Sequence, residues 1–224
     1  MNTLYLFVEI FCCFAAVILI GKLFGKFGLI AWVGIASVLA NIITAKTSNI
    51  LGLDAAQGSV LFASTFLATD ILCEKYDKNT AKTGVLVGLF ASVTLIVATQ
   101  IALLYTPVEY DFAGPSMEIL FGLNLRITIS SIVMYLIANL ADIAIFDKLK
   151  RITGGKWLWL RNNTATILCN CLENFGFIFL AFLGIYTSEQ CAEIALATSV
   201  IEIVAAICDT PFAYIGRKIR PLRG

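Results

Sequence analysis

Apolar residues fall in seven long runs separated by short polar connections, at about 3–21, 27–45, 57–75, 83–105, 118–146, 163–185 and 192–215. A hydrocarbon core about 30 Å thick is spanned by roughly 20 residues of helix rising about 1.5 Å each. Each run therefore predicts one membrane-crossing helix. The first has no basic start and no small-residue cleavage site before the second, so it reads as a span and not as a secretory signal. The pattern predicts an all-α, polytopic membrane bundle: a single transmembrane domain over residues 1–224, with no linker, low-complexity run or soluble domain. The longest hydrophilic connection is about 147–162, so function has to reside among the helices and their short loops.

The cations assign the two ends. Lys22 and Lys26 follow the first run, Lys75, Lys78 and Lys82 the third, and Lys148, Lys150, Arg151, Lys156 and Arg161 the fifth. With Arg217, Lys218, Arg220 and Arg223 after the last run, these are 14 of the 16 basic residues. The others are Lys46, after the second run, and Arg126, inside the fifth; the connections at 106–116 and 186–191 have none. Positive charge is retained on the cytoplasmic side. The expected topology is thus an outside N-terminus and a cytoplasmic C-terminus. Runs two to seven then form a six-helix unit with both ends inside, and the first run is an addition to it. Trp157 and Trp159, flanked by Lys156 and Arg161, read as an interfacial anchor with their rings at headgroup level. Ala36 and Ala40, with Ala31 and Gly34 nearby, favour close helix packing within the bundle.

Composition narrows the chemistry. The 224 residues are 59% hydrophobic and 14% charged, with a mean hydropathy of +0.90, against roughly 25% charged residues in soluble domains. A net charge of +1 gives no reason to expect a nucleic-acid partner. The seven cysteines lie mostly in apolar runs, where they act as small hydrophobes. They form no CxxC pair, and Cys169 and Cys171 lean to opposite faces of one helix, so neither metal nor cofactor is expected. The chain has no histidine, the commonest general base and metal ligand. There is no HExxH, GxSxG or glycine-rich phosphate loop either. No catalytic residue is assigned, and Asp70 and Asp142 lack the flanking residues of an aspartyl membrane protease.

Several charges stand where they are costly. A charged side chain at mid-membrane costs at least about 2.5–3.5 kcal/mol on insertion scales, so it faces the bundle interior, a partner or a wet cavity. Counting helical rise, Glu173 and Glu202 fall near the midplane and Arg126 in the outer half. Asp70, Glu74, Asp142 and Asp209 fall toward the cytoplasmic side. Asp70 and Glu74 share a helix face by their spacing of four; Asn139 with Asp142, and Asn170 with Glu173 and Asn174, do so at spacings of three or four. Arg126 is too far along its helix from Asp142, so its expected partner is Glu173 or Glu202. An Arg, two carboxylates and several amides in a wet cavity suit a polar small molecule; paired buried carboxyls suit protons equally.

The run Phe66-Leu67-Ala68-Thr69-Asp70-Ile71-Leu72-Cys73-Glu74-Lys75-Tyr76 resembles the signature of the queuosine precursor transporter family, also described as vitamin-uptake-like membrane proteins. Thr47-Ser48-Asn49 after the second run, Arg126 leading into Tyr135–Asp142, Phe146-Asp147-Lys148-Leu149-Lys150, the Trp157/Trp159 segment before Asn170 and Glu173, and Glu193-Ile194-Ala195-Leu196 extend the resemblance over about 40–215. Two departures are Asp77, where the family commonly has Gly, and Glu173, where it often has Asp.

The resemblance implies import across a bacterial inner (cytoplasmic) membrane of 7-cyano- or 7-aminomethyl-7-deazaguanine, or queuine, for salvage into transfer-RNA modification. It also implies a six-helix core similar to the substrate-binding subunits (S-components) of energy-coupling-factor transporters, seven helices in total with the first span. On that reading Glu173 accepts the two adjacent N–H donors of the guanine-like edge, and Arg126 or Asn170 donates to its carbonyl. Asn49, Asp70 and Asn139 complete or gate the site, and Phe66 or Tyr135 stacks on the ring. Glu74, Asp142 and Glu202 are assigned to coupling or structure. A substrate-binding subunit for another vitamin, working with a separate energising membrane module, stays open beside this, as does a membrane-embedded enzyme. Energy coupling and oligomeric state are left open.

Overall fold

The computed structural model describes residues 1–44, 46–50, 52–122 and 125–222, with the backbone alone at 47, 53–56, 125, 126 and 128. Its elements in chain order are α1 (Asn2–Ile43), β1 (Thr47–Ile50), β2 (Leu53–Ala56), α2 (Ser59–Lys75), α3 (Lys78–Leu103), α4 (Gly114–Phe121), α5 (Leu125–Ile152), α6 (Leu158–Phe182) and α7 (Ser188–Lys218). The chain forms a helical bundle. Helices α1, α3, α5, α6 and α7 are long and apolar enough to cross a membrane. Their outward faces carry large exposed hydrophobes, with Phe90 of α3 75% exposed and Leu196 of α7 55%. Such continuous apolar cover is what a lipid-facing surface requires.

The first two apolar runs form the single element α1, which is broken at Gly25 (φ 59°, ψ −138°). The chain folds back at that residue. Gly21 lies against the Leu29 side chain, and a Cβ on Gly28 would strike the Ile20 carbonyl. At the far end, the Asn2 side chain donates to the Asn49 carbonyl at 2.8 Å, across 47 residues of chain. The two halves of α1 are therefore antiparallel, joined through a glycine in a backbone region closed to other residues. The first half is part of the core: Phe14 and Val17 are fully buried, and Phe14 packs edge-on against Phe212 of α7.

Two further elements differ from the sequence expectation. β1 and β2 pair antiparallel, Thr47 with Ala56 and Ile50 with Leu53, forming a small hairpin beyond the end of α1. The apolar run at 118–146 is two helices, because α4 ends at Gly122, whose ψ of 66° is not helical, and α5 begins at Leu125.

Short α2 is the central helix. Its residues from Ser59 to Cys73 are buried except Phe62, and it packs on α1, α3, α5 and α7. Small side chains (Ala63, Ser64, Ala68, Thr69) let those neighbours approach closely. Asp77, extended at φ −165°, caps α3 by accepting from the Thr80 N–H at 2.9 Å and the Thr80 hydroxyl at 2.7 Å. A glycine there could not make this cap.

The basic connections gather at one end of the bundle. Gly25 lies near Pro221 and the Tyr76 hydroxyl, and the Leu222 N–H donates to the Lys22 carbonyl at 2.8 Å. Lys150 donates to the carbonyls of Cys73 and Glu74 at 3.0 and 2.7 Å. The β-hairpin and the N-terminus lie at the opposite end.

Candidate functional site

A cavity of about 380 Å³ opens in the half of the bundle nearer the β-hairpin. Apolar and aromatic side chains make most of its wall, Phe62 from α2, Phe177 and Phe182 from α6, and Leu89 from α3 among them. Polar groups enter from every side: Asn41 of α1, Ser59 of α2, Ser92 of α3, Tyr135 of α5, Glu173 and Asn174 of α6, and Glu202 of α7. A few convergent polar groups in an apolar hollow of this size describe a small-molecule site.

Its two carboxylates differ. Glu202 accepts from the Asn174 amide at 2.7 Å and is bonded by Ser59, so its neighbours hold it in place. Glu173, one residue before Asn174, faces the cavity and has its Oε2 without a hydrogen-bond partner. It is the acceptor with capacity to spare. The Tyr135 hydroxyl lies 3.4 Å from both Ser37 Oγ and the Val85 carbonyl, braced against α1 and α3. It fits there because position 88 is glycine; a Cβ would overlap the phenol oxygen.

Below the cavity the same helix faces stay polar. On α5 the stripe runs from Tyr135 through Asn139 to Asp142; on α6 it runs from Glu173 through Asn170 and Thr166 to Asn162, at spacings of three or four. Asn139, Asp142, Asn170, Thr166 and Asn162 are all fully buried. Asn139 donates to the Tyr135 carbonyl at 2.9 Å but leaves its own oxygen unpartnered, and both amide atoms of Asn170 are unpartnered. Beside this stripe, Phe66, Ala138 and Cys169 form a dry cluster backed by Phe62. Deeper still lie Asp70, Asp142 and Asp209, with Asn162 donating to Asp209 at 2.5 Å.

The polar core ends in an ion cluster. Glu74, its side chain 6% exposed, meets Arg161 at 2.6 Å, and Lys150 and Arg217 at 3.3 Å each. Arg161 is fully buried, donates to the Lys156 carbonyl at 2.9 Å and lies over the Phe146 ring.

Of the residues expected from sequence, Glu173, Tyr135 and Glu202 line the cavity. Asn139, Asn170, Phe66, Asp70 and Asp142 lie beneath it, and Glu74 is at the basic end. Asn49 is exposed on β1 and does not reach the cavity. Arg126 is in the first turn of α5, and its expected pairing with Glu173 or Glu202 lies outside the described side chains. Arg161, grouped from sequence with the headgroup anchor, is instead the buried partner of Glu74. Trp157 and Trp159 beside it are 62% and 52% exposed. The Asn174–Glu202 and Asn162–Asp209 contacts were not expected. Their only sequence signal was an Asn repeating at helical spacing within one apolar run.

A family model described as "Putative vitamin uptake transporter" matches residues 56–216. A Bacillus subtilis protein named "Probable queuosine precursor transporter" is 33% identical over 221 residues, 98% of this chain and 96% of that one. A Haemophilus influenzae protein of the same name is 28% identical over 126 residues, 56% of this chain and 51% of its own. No solved structure matches. A bundle with lipid-facing apolar helices and a polar interior cavity is a transporter's architecture, and the extent of these matches shows that the chain belongs to the queuosine precursor transporter family.

Proposed function

We propose that this protein imports a queuosine precursor, 7-cyano- or 7-aminomethyl-7-deazaguanine or queuine, through the cavity beside Glu173. The observation that carries the reading is the unpartnered Glu173 oxygen in an aromatic-walled cavity of about 380 Å³. A guanine-like edge presents two adjacent N–H donors, which a carboxylate accepts side by side, and Phe62 and Phe177 offer flat apolar surface to the ring system. The Asn174 amide and the Ser59 hydroxyl hold Glu202 and so keep the two carboxylates from repelling each other into disorder.

On this proposal each half of α1 crosses the membrane, as do α2, α3, α5, α6 and α7, giving seven spans with the basic end in the cytoplasm. The cavity then opens on the outer half of a bacterial cytoplasmic membrane, where a scavenged base arrives. Clustering of the turn at Gly25, the α2–α3 and α5–α6 connections and the C-terminal segment at one end supports this orientation. No step of the reading calls for catalysis or a bound cofactor.

The test is uptake of the three labelled bases by queuosine-auxotrophic bacteria expressing this chain alone, scored by transfer-RNA modification. Restoration by one base names the substrate. Failure of all three, with the chain present in the membrane, would retire the reading in favour of a binding subunit that needs a separate energising module.

A further inference from the structure

We propose that Asp70 and Asp142 form a proton-binding site, separate from the cavity, through which import is coupled to proton entry; this rests on the import reading above. The two side chains come from α2 and α5, are buried at 2% and 0% exposure, and are close enough to interact directly. Two ionised carboxylates so placed repel each other, whereas a carboxyl that carries a proton has a donor to offer its neighbour. By hydrogen-bond geometry none of their four oxygens has a partner among the described residues, Thr166 being the nearest hydroxyl to Asp142.

The surroundings supply no alternative. On α2 the next turn brings Cys73 and Glu74; on α6, Thr166 and Cys169 lie near Asp142; on α7, Asp209 faces Asp70 and is engaged by Asn162. The cations of this region, Arg161, Lys150 and Arg217, are drawn to Glu74 at the basic end. Two carboxyls and a third nearby thus share the buried interior with neutral polar side chains, and no cation among the described residues is paired with them. Among the described residues no three Asp, Glu, Cys or His side chains converge as ligands for one metal ion, which favours a proton as the occupant.

A route from the cavity is present. Asn170 has both amide atoms unpartnered and Asn139 its oxygen, and they stand one helical turn from Glu173 and Tyr135 on one side and from Thr166 and Asp142 on the other. With a water between them, such amides relay a proton past the dry Phe66–Ala138–Cys169 cluster. One proton enters from the cavity side, resides on the carboxyl pair, and leaves past Asp209 toward the basic end.

Two measurements decide it. Infrared spectra of the purified full-length chain at neutral pH should contain a protonated-carboxyl band, sensitive to deuterium, that disappears in Asp142→Asn. In proteoliposomes, an inward acid gradient of one pH unit should concentrate labelled 7-aminomethyl-7-deazaguanine (or whichever base the uptake test selects) about tenfold for one proton per base. Collapsing the gradient should return the wild-type protein to simple equilibration. Asp142→Asn should still exchange base but accumulate none. Absence of the band, accumulation indifferent to the proton gradient, or accumulation driven by sodium at symmetric pH would each overturn the proposal. If no base binds or moves at all, the import reading fails, and the coupling fails with it.

Discussion

The Arg161 guanidinium meets the Glu74 carboxylate at 2.6 Å, joining the start of α6 to the end of α2 with both side chains withdrawn from solvent. Removing one partner of a buried ion pair leaves the other charged and desolvated, at a cost of about 3–5 kcal/mol. Glu74→Ala should therefore lower stability by that order, leaving Arg161 without its closest counter-charge. Thermal unfolding in detergent checks it; a variant as stable as wild type would mean that the cluster is solvated.

Glu173→Gln keeps the shape of the side chain and removes its ability to accept two N–H donors as a carboxylate. Uptake should fall by at least about tenfold, the loss of one charge-assisted bond of roughly 1.5–3 kcal/mol, with expression unchanged. Normal uptake by the variant removes Glu173 from the recognition role.

Gly88→Ala places a methyl group on the Tyr135 hydroxyl, with Ser37 Oγ and Val33 Cγ1 each 3.0 Å from it. A rigid phenol wedged between α1 and α3 has little room to retreat. The ring should shift into the cavity, weakening substrate binding several-fold while the protein stays folded. Pairing the change with Tyr135→Phe should restore part of the affinity, and binding titrations on both variants separate cavity reshaping from general damage.

Asp77 is exposed, and its carboxyl is held below the usual carboxylate range by the Thr80 hydroxyl and then by the Thr80 N–H. A lowered value in the folded chain contributes stability that is fully present above the ordinary carboxylate range. It is lost as pH falls through the lowered value. Protection of the Thr80 amide, taken relative to its intrinsic exchange rate at each pH, should fall in acid over that window. Asp77→Asn, still a cap but no longer titrating, should flatten the dependence.

How far the chain could be read from its residues differs from element to element. The apolar runs at 163–185 and 192–215 correspond to α6 and α7 within a few residues, because lipid imposes the same apolar length on each helix. Gly25 looked like an ordinary loop glycine between two lysines. That a single residue turns the chain shows only in its φ and in the contacts of Gly21 and Gly28. The break at Gly122 was hidden because apolar residues continue on both sides of it. Glu173 and Glu202 were legible as charges out of place, since a buried carboxylate is costly anywhere in a bilayer. Arg161 was not: it follows a loop rich in cations and tryptophans, and only the packing of α6 on α5, with Glu74 as partner, carries it inward. Asn49 was drawn into the site by its place in the family signature, whereas the hairpin holds it at the surface.

The fold-back at Gly25 also bears on how the chain enters a membrane. If each half of α1 crosses the membrane, as proposed above, a one-residue turn leaves no polar stretch long enough to wait outside while the second half threads, so the two halves would enter lipid as a pair. Lys22 and Lys26 flank the turn, and carrying both through hydrocarbon would cost several kcal/mol on insertion scales. On the seven-span proposal the two lysines would hold the turn on one side of the membrane, and with it the sidedness of both halves of α1.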